Sequence, residues 1–266
     1  MDPLAEINDR LRKQGLAAAE AQGGSQWLAL ESNPEVFNEF CTRIGLPSGW
    51  GFVDVIGLDQ ELLDMTPGPV IACVVLFPCT RGIYDARRRQ DAALRSGREA
   101  AGGASANREN LFFVRQVADF GNACGTIACL HAVSNSRQWL ALAEGAALEG
   151  FVQAQACASP EERGRALLKE PLLRASSDAA ASDPRAQTAV PARSGPALDH
   201  HFAAFVRSPG GRLVELDGTK FGPVDHGPTS EASFLSDAAG AIKRQFVASD
   251  PDVHGFALMA LAKLPE

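Results

Sequence analysis

The sequence predicts a mixed α/β fold, and three segments carry that prediction. Residues 70–77 form a continuous apolar run rich in β-branched side chains, as expected of a central strand buried on both faces. Asn33-Pro34 places a capping residue before a proline, and apolar residues then recur at helical spacing. Residues 201–206 and 212–216 are strand candidates joined by a Ser-Pro-Gly-Gly turn, which predicts a β-hairpin. Helices and strands are mixed throughout, and the sequence contains no internal repeat.

Six further elements complete the prediction. A short strand is expected at residues 112–114 and an apolar helix at 122–133, with Asn122 as its cap. The sequence Ser-Pro-Glu-Glu at 159–162 has the form of a capping box and opens a helix that ends before Pro171. The remaining predictions are a solvated, arginine-rich helix running into a loop over residues 81–110, a helix at 233–246 and a strand at 256–261.

Two segments are expected to lie outside the packed core. Residues 1–24 can form a short amphipathic helix with Leu4, Ile7 and Leu11 on one side, and we favour a loosely attached extension over a docked helix. Residues 175–198 are almost entirely Ala, Ser, Pro and small polar residues, which bury too little apolar surface to offset the entropy of ordering. We therefore predict a mobile loop there, in preference to an interdomain linker.

The composition is that of an ordinary globular protein. At 266 residues, 45% hydrophobic and 21% charged, the chain can bury a sizeable core as one domain or as two small ones. Its formal net charge of −7 argues against a nucleic-acid binder, which needs a basic face. The apolar run at 70–77 is far shorter than the roughly 20 residues that cross a bilayer. Neither a nucleic acid nor a membrane is therefore expected as a partner.

Six cysteines stand at positions 41, 73, 79, 124, 129 and 157, without a CxxC pair or the spacing of a zinc site. Several lie in apolar runs, where a reduced cysteine behaves as a small hydrophobe. We expect no metal, no cofactor, a reducing compartment and at most one reactive thiol. The N-terminus lacks the apolar stretch of a signal peptide, which favours the cytoplasm, with the nucleus as a further location.

The first motif with chemical potential is Gly-Asn-Ala-Cys-Gly-Thr at 121–126, which contains Cys124. A cysteine in the first turn of a helix faces unpaired backbone N–H groups and the positive end of the helix dipole. Both stabilise the thiolate, which is the reactive form of cysteine. The small neighbours leave room for a substrate carbonyl. Taken alone, this stretch still favours a buried structural cysteine over a nucleophile.

The predicted hairpin carries the two other groups that a cysteine nucleophile needs, a base and an acceptor that orients it. His200 and His201 begin one strand, and Asp217 follows the other, sixteen positions after His201. An antiparallel pair brings the start of one strand beside the end of the next. Side chains alternate faces along a strand, so only one histidine can point at Asp217, and the turn register decides which. A surface hairpin without chemistry is an equal alternative.

The remaining histidines and arginines give weaker signals. His131 lies on the same apolar helix as Cys124, where a satisfied core histidine is the favoured interpretation. His226 and His254 are expected in loops, with nothing to distinguish them. The arginines between residues 81 and 98 are interpreted as a solvated face, because no Gly-rich phosphate loop accompanies them.

The motif around Cys124, Asn-Ala-Cys-Gly-Thr-Ile at 122–127 followed by Leu-His-Ala at 130–132, closely resembles the active-site signature of the ubiquitin C-terminal hydrolases. Five more motifs are similar in order and spacing: Trp-Leu-x-Leu-Glu-x-Asn-Pro-Glu-Val at 27–36, Phe-Val-Asp-Val at 52–55, Ser-Pro-Glu-Glu-Arg at 159–163, Glu-Leu-Asp-Gly at 215–218 and His-Gly at 226–227. The resemblance runs from about residue 26 to 262 and is nearest to the short forms of the family. Its motifs are highly specific in combination.

The resemblance implies a papain-like α/β sandwich, in which helices flank a central antiparallel-rich sheet and the backbone is knotted. It divides the chain into an extension at 1–25, a catalytic domain at 26–262 and a tail at 263–266. The segment at 175–198 then corresponds to a crossover loop that spans the active site. A leaving group must pass through that loop, so small or flexible adducts are the expected substrates.

The resemblance also assigns roles to individual residues. Cys124 becomes the nucleophile and Asp217 the group that orients the imidazole. The family's histidine directly precedes a phenylalanine, which selects His201 over His200.

Two departures from the family pattern concern spacing. The family places an oxyanion-stabilising glutamine six residues before the cysteine, whereas here Gln116 lies eight before it. We expect a two-residue insertion within 117–121 that bulges outward and leaves Gln116 in place; a displaced glutamine with weakened catalysis is the alternative. The spacing from His201 to Asp217 is one residue longer than in the family, which the hairpin turn can absorb.

By resemblance, ubiquitin would contact two stretches of the chain and part of the crossover loop around residues 183–190. The residues expected to bind it in the two stretches are Ala29, Leu30, Glu31, Ser32, Asn33 and Pro34, and Val253, His254, Gly255, Phe256, Ala257 and Leu258. Glu31 and Asp252 give both stretches an acidic neighbourhood that suits a basic ubiquitin tail, mainly by aiding encounter and orientation.

The activity implied by the resemblance is that of a cysteine-type ubiquitinyl hydrolase, which cleaves small or flexible adducts from the C-terminal glycine of ubiquitin through a thioester. Two alternatives remain open. One is a ubiquitin-binding protein with weak or no catalysis, and the other is a hydrolase for a ubiquitin-like modifier such as NEDD8. A monomer is expected.

Overall fold

The computed structural model describes residues 3–15, 27–100, 110–118, 120–184 and 200–265. Within them, six strands form one sheet: β1 (Trp50–Asp54), β2 (Val70–Pro78), β3 (His200–Arg207), β4 (Arg212–Leu216), β5 (Val224–Pro228) and β6 (Ala257–Lys263). The strand order is β1-β6-β2-β3-β4-β5, and every neighbouring pair is antiparallel. β2 therefore has a partner on each side, as its continuous apolar sequence predicts.

Helices pack on both faces of this sheet, as the predicted sandwich requires. They are α1 (Pro3–Lys13), α2 (Pro34–Ile44), α3 (Gln60–Leu63), α4 (Arg81–Ala100), α5 (Cys124–Ser134), α6 (Ala147–Ala154), α7 (Pro160–Leu168), α8 (Pro171–Ala181) and α9 (Phe234–Gln245). The larger core lies between the sheet and α2, α5, α6 and α8, and the smaller core lies under α9. β2 alternates between them, since Ala72 and Val74 enter the larger core while Cys73 and Val75 enter the smaller one.

Local sequence signals account for several of the element boundaries. The side chain of Asn33 accepts the N–H of Glu35 at the start of α2, and Gly45 ends that helix with a φ of 114°. Ser159 and Glu162 form the predicted capping box of α7. The helix predicted at 233–246, the strand predicted at 256–261 and the predicted hairpin are confirmed as α9, β6 and the β3–β4 pair.

Two predictions about the region before and at α5 are wrong. Residues 112–114 form no strand, because side chains rather than a neighbouring strand satisfy their backbone: the amide of Asn135 bonds both the N–H and the carbonyl of Phe112, at 2.7 and 3.0 Å. Asn122 does not cap α5, because Ala123 holds the cap position, without a side-chain bond. The backbone N–H of Asn122 donates to the carbonyl of Trp27 at 3.1 Å.

The described residues of the two segments expected outside the core belong to the packed fold. Residues 175–181 belong to α8, because alanine favours helix and one small-residue face, including Ala180 and Ala181, packs into the larger core. The rest of the predicted loop from residue 185 onward lies outside the described residues. The N-terminal helix is docked, and the expectation of a loose extension is wrong for residues 3–15: Ile7 and Leu11 are buried.

Several elements escaped the sequence analysis, namely β1, α3, α6 and β5. Each is short, and β1 and β5 are the two edge strands, whose few residues show little periodicity. None of the helices in the described part of the chain combines the length and the apolarity needed to cross a bilayer.

Candidate active site

Helix α5 places Cys124 at its first position, directly beneath the sheet. The helix is apolar on nearly all sides, and every residue after Cys124 is buried, as expected of a central helix. Gly125 allows this close packing, because a Cβ there would lie 3.2 Å from Leu30 and 3.3 Å from the ring of Phe202. Cys124 is the one residue of α5 that is not fully buried.

The surroundings of Cys124 favour its thiolate. Burial raises the pKa of the thiol, but a hydrogen bond from His201, the charge of that imidazole and backbone N–H groups of Phe202 and Gly125 together bring the pKa below its ordinary value. A low-pKa, half-exposed cysteine beside an imidazole is the arrangement of a nucleophile. The interpretation of Cys124 as a merely structural cysteine is therefore disfavoured by its contacts.

The structure resolves which histidine faces Asp217. His201 Nε2 lies 2.9 Å from Asp217 Oδ1. The β3–β4 register pairs Ala204 with Leu216, so Asp217 comes opposite Ala203, and His201 is the diagonal neighbour on the same face. His200 points toward Gly255 instead, because a Cβ added at Gly255 would lie 3.2 Å from Nε2 of His200.

His201 is held as an imidazolium by its two partners. Burial alone lowers its pKa, but the negative charge of Asp217 and the interactions with Asp217 and Cys124 raise the pKa to about 9. Because Nε2 faces Asp217, the other ring nitrogen is left for the sulfur. The side chain of Phe77 fixes the ring further through an edge contact at 5.5 Å between centroids.

Asp217 is fully buried and saturated with hydrogen bonds. Its Oδ1 accepts the backbone N–H of Thr219 at 2.9 Å and the hydroxyl of Thr219 at 2.8 Å, in addition to His201. Its Oδ2 accepts a bond from the guanidinium of Arg87. Burial raises the pKa of Asp217, but the charges of His201 and Arg87 outweigh it and hold the pKa well below its usual range.

A second buried acid, Glu215, extends this charge cluster behind the catalytic aspartate. Its Oε1 lies 3.0 Å from Arg87 and 2.8 Å from the Nζ of Lys220, and its Oε2 lies 3.0 Å from Nε2 of His226. Burial lowers the pKa of Lys220 to about 8, with the nearby Arg87 as a further cause. The cluster is therefore a nearly closed set of paired charges, in which each member compensates the burial of another.

This cluster is not predicted by the sequence. The expectation that Arg87 belongs to a solvated face is wrong, because it lies on the inner face of α4 together with Ile83, Tyr84 and Asp91. These four residues recur at helical spacing. Two of them are charged, so the buried face of the helix cannot be recognised as an apolar stripe in the sequence. His226, expected in a loop, lies in β5 instead.

His131 is confirmed as a core histidine. Its Nε2 accepts the N–H of Val114 at 2.9 Å, and its ring stacks on Phe113 with centroids 5.2 Å apart. Burial lowers the pKa of His131 to about 4, so the ring stays neutral near neutral pH.

The segment before Cys124 departs from the expected outward bulge. Val117, Ala118 and Phe120 are buried, and Phe120 packs against Trp27 with ring centroids 5.3 Å apart. The segment therefore turns into the protein, because its apolar side chains find partners there. Gln116 is partly exposed, and its backbone N–H donates to the carbonyl of Gly218 at 2.8 Å, which places it beside the turn that carries Asp217.

The two stretches expected to bind ubiquitin flank the catalytic residues from different sides. Leu30 lies against Gly125, and Gly255 lies against His200. The side chains of Leu30 and Leu258 are buried in the two cores, so any contact that these two residues make with a partner involves their backbone. The other ten residues of the two stretches are exposed or half-buried. The loop residues from 185 to 190 lie outside the described part of the chain.

Taken together, the sheet-and-helix sandwich and the Cys-His-Asp arrangement define a papain-like cysteine hydrolase. Residues 27–248 match the model of the family described as ubiquitin carboxyl-terminal hydrolase, family 1. A ubiquitin carboxyl-terminal hydrolase of Drosophila melanogaster is 38% identical over 235 residues, which cover 88% of this chain and 96% of that protein. The human ubiquitin carboxyl-terminal hydrolase isozyme L1 is 34% identical over 234 residues, covering 88% and 97%.

A solved structure shares the fold. The catalytic domain of Trichinella spiralis UCH37 bound to ubiquitin vinyl methyl ester superposes with a TM-score of 0.65 at 19% identity, covering 91% of this chain and 99% of that one. The chain thus belongs to family 1 of the ubiquitin C-terminal hydrolases, and it is a cysteine-type hydrolase.

Proposed function

We propose that this hydrolase removes small or flexible adducts from the C-terminal glycine of ubiquitin, with Cys124 as its nucleophile. The single observation that carries the proposal is the Cys124–His201–Asp217 arrangement, in which the thiolate and the imidazolium are both favoured. The family match and the names of the relatives support ubiquitin as the protein substrate. So does the ubiquitin derivative bound to the UCH37 domain of similar fold.

The reaction proceeds by acyl transfer in two steps. With the Cys124 proton held on His201, the thiolate attacks the carbonyl carbon of the terminal glycine, and the carbonyl oxygen becomes an oxyanion. Backbone N–H of Cys124 and the amide of Gln116 stabilise that oxyanion. The leaving amine or thiol departs with the proton from His201 and leaves a thioester on Cys124. A water then attacks the thioester and gives its proton to His201, which releases ubiquitin and restores the thiolate of Cys124 beside the imidazolium.

The preference for small adducts rests on the segment that follows α8. The family resemblance assigns residues 175–198 to a crossover loop, of which residues 185–198 lie outside the described part of the chain. A folded protein domain attached to ubiquitin should accordingly be a poor substrate. α8 ends at Ala181 and β3 begins at His200, directly before the catalytic His201, so the segment starts and ends on fixed elements. We also propose that the protein acts as a monomer in the cytoplasm. Its six cysteines, all in the described part of the chain, form no disulfide, which is compatible with a reducing compartment.

The test uses a fluorogenic conjugate at the C-terminus of ubiquitin and a ubiquitin-derived electrophile. The wild type should hydrolyse the conjugate and form one covalent adduct with the electrophile, whereas Cys124→Ala should do neither while still binding ubiquitin. Cys157→Ala is the matched control, because Cys157 is an exposed cysteine outside the triad, and it should retain full activity. Turnover by Cys124→Ala would refute the assignment of the nucleophile.

Two outcomes would point to other functions. A wild-type protein that binds ubiquitin but neither turns over the conjugate nor reacts with the electrophile is a binding protein. A rate on the matching NEDD8 conjugate above that on ubiquitin would make the ubiquitin-like modifier the substrate.

A further inference from the structure

Helix α1 lies outside the family match, which begins at residue 27, yet it is packed against the catalytic domain. Ile7 and Leu11, one helical turn apart, are 6% and 0% exposed. They pack against Tyr84 on α4 and against Ala118, which belongs to the inserted segment before the nucleophile. The hydrophobic face of α1 thus covers α4, which carries Arg87, and the segment that precedes Cys124.

A polar contact connects α1 to a third element, the turn that follows the catalytic aspartate. Arg10 donates from Nη2 to the carbonyl of Thr219 at 3.0 Å. Its Nη1 lies 3.7 Å from the carboxylate of Asp91 on α4. Asp91 in turn accepts the N–H of Phe221 at 2.6 Å, so Arg10 and Asp91 together hold residues 219–221 in place.

The residue that Arg10 holds is the one that orients Asp217. Thr219 donates both its N–H and its hydroxyl to Asp217 Oδ1, which is also the oxygen that faces His201. A continuous series of hydrogen bonds therefore runs from Arg10 through Thr219 and Asp217 to His201, and each group in it is at least partly buried.

The C-terminal end of α1 is anchored at a separate point beside the predicted oxyanion residue. Arg115 donates from Nη2 to the side-chain oxygen of Gln14 at 2.9 Å, and Arg165 donates to the carbonyl of Gly15 at the same distance. Arg115 is the immediate neighbour of Gln116 in sequence. The helix is thus held to the fold by its last turn, by the two residues that follow it and along its apolar face.

We propose that α1 is a positioning element of the active site and that Arg10 is its positioning residue. By fixing the turn at 217–221, Arg10 keeps the two Thr219 hydrogen bonds on Asp217, and Asp217 then keeps the imidazolium of His201 directed at Cys124. Arg10 touches neither substrate nor reacting atoms and acts only through Thr219. The inference rests on the proposed hydrolysis for its activity measurements, but its thiol measurement is independent of any substrate.

The expected size of the effect follows from the geometry of proton transfer. A misplacement of about 1 Å in a catalytic group costs roughly 100-fold in rate, so Arg10→Ala should lower kcat/KM by about 10- to 100-fold. The loss should fall mainly on kcat, because no residue of the substrate-binding stretches is touched. Arg10→Lys retains one donor for the carbonyl and should stay within about five-fold of the wild type.

The decisive measurement is the pH dependence of Cys124 alkylation by iodoacetamide, followed site by site with mass spectrometry. The charged groups facing Asp217 are His201 from β3, Arg87 from α4 and Lys220 from its own turn, and the acid facing Arg10 is Asp91. All of them are unchanged in Arg10→Ala. When the imidazolium of His201 is held less firmly toward Cys124, it stabilises the thiolate less. The pH at which Cys124 becomes reactive should therefore rise in this variant.

Lys13→Ala is the matched control, because Lys13 is an exposed residue on the same helix that, among the described residues, pairs with Asp9 across one turn. It should leave both kcat/KM and the alkylation profile unchanged. Leu11→Ala removes apolar contact rather than the hydrogen bond, and it should shift the alkylation profile in the same direction as Arg10→Ala.

The proposal is overturned if Arg10→Ala and Leu11→Ala keep the wild-type alkylation profile, or if Lys13→Ala changes it as much as they do. A lower thermal midpoint for Arg10→Ala together with an unchanged profile also overturns it, since that result describes a purely structural helix. A wild type that fails to hydrolyse any ubiquitin conjugate would refute the proposed function, but a shifted alkylation profile would still support the positioning role.

Discussion

Arg87 on α4 and Asp217 after β4 are bonded through the carboxylate oxygen that His201 does not use. The catalytic aspartate is thus fixed from both sides, by the imidazole that it orients and by a guanidinium from the opposite element. Arg87 also lies over the rings of Phe77 and Phe246, at 4.6 and 5.0 Å from their centroids. Its charge is compensated by two acids and its plane is held by two aromatic faces.

Replacement of Arg87 should destabilise the protein strongly. In Arg87→Ala the buried carboxylates of Asp217 and Glu215 lose a shared cation, and breaking such a buried pair costs about 3–5 kcal/mol in the free energy of unfolding. Urea denaturation would measure the loss. The neighbouring Arg88→Ala removes an exposed arginine with its own ion pairs and should change the free energy by less than about 1 kcal/mol. Equal effects of the two variants would contradict the cluster described here.

Asp217→Asn should lower activity and move its upper pH limit. The imidazolium of His201 persists up to a pKa of about 9 chiefly because Asp217 is charged, so a neutral amide should let that pKa fall. We expect kcat/KM to drop by roughly 100- to 10,000-fold and the alkaline limb of its pH profile to move to lower pH. Asp225→Asn, which alters an exposed acid bonded to Arg212, is the control. If the alkaline limb stays in place, the charge of Asp217 does not set the pKa of His201.

The neutral core histidine predicts a specific loss of stability in acid. The folded-state pKa of His131, about 4, lies below the unfolded value of 6.5, so the unfolded chain binds the proton first as the pH falls. This contribution to stability is complete above pH 6.5 and is lost progressively between about pH 6.5 and 4, by roughly 3 kcal/mol in total.

The comparison for that prediction is His131→Gln, which does not titrate in this range. The difference in unfolding free energy between wild type and variant, measured by urea denaturation from pH 7 to 4, should shrink or reverse as the pH falls. A constant difference would show that His131 does not resist protonation in the fold.

Gln116→Ala tests the oxyanion assignment despite the altered spacing to Cys124. If the amide of Gln116 stabilises the oxyanion, its removal should lower kcat by about 100- to 1000-fold and leave KM nearly unchanged. Gln153→Ala, on the exposed side of α6, should have no effect. A loss of less than about three-fold would mean that the displaced glutamine takes no part, and that backbone N–H groups act alone.

The sequence alone was sufficient for the elements with strong local signals. The β2 run, the caps of α2 and α7, and the β3–β4 hairpin each depend on residues within one element, so their patterns could be recognised without tertiary information. The choice between His200 and His201 could not be made this way, because it depends on strand register. The resemblance to a family supplied that choice, and the pairing of Ala204 with Leu216 gives its physical reason.

What escaped prediction depends on contacts between distant segments. The docking of α1 requires Tyr84 and Ala118, which are far from it in sequence, and composition alone suggested a loose tail. The burial of Arg87 depends on acids 128 and 130 positions away, and a single arginine in a basic stretch gives no sign of them. The helix over residues 175–181 escapes prediction because small residues bury little apolar surface by composition, whereas in the fold they permit a close approach to α2.

The placement of β6 has a consequence for how the chain is made. β6, close to the end of the sequence, lies between β1 and β2, which are synthesised far earlier. At a translation rate of about 5–20 residues per second, the ribosome needs on the order of 10–40 s to proceed from β2 to β6. Throughout that interval both early strands expose unpaired backbone edges, which invites chaperones to bind the nascent chain.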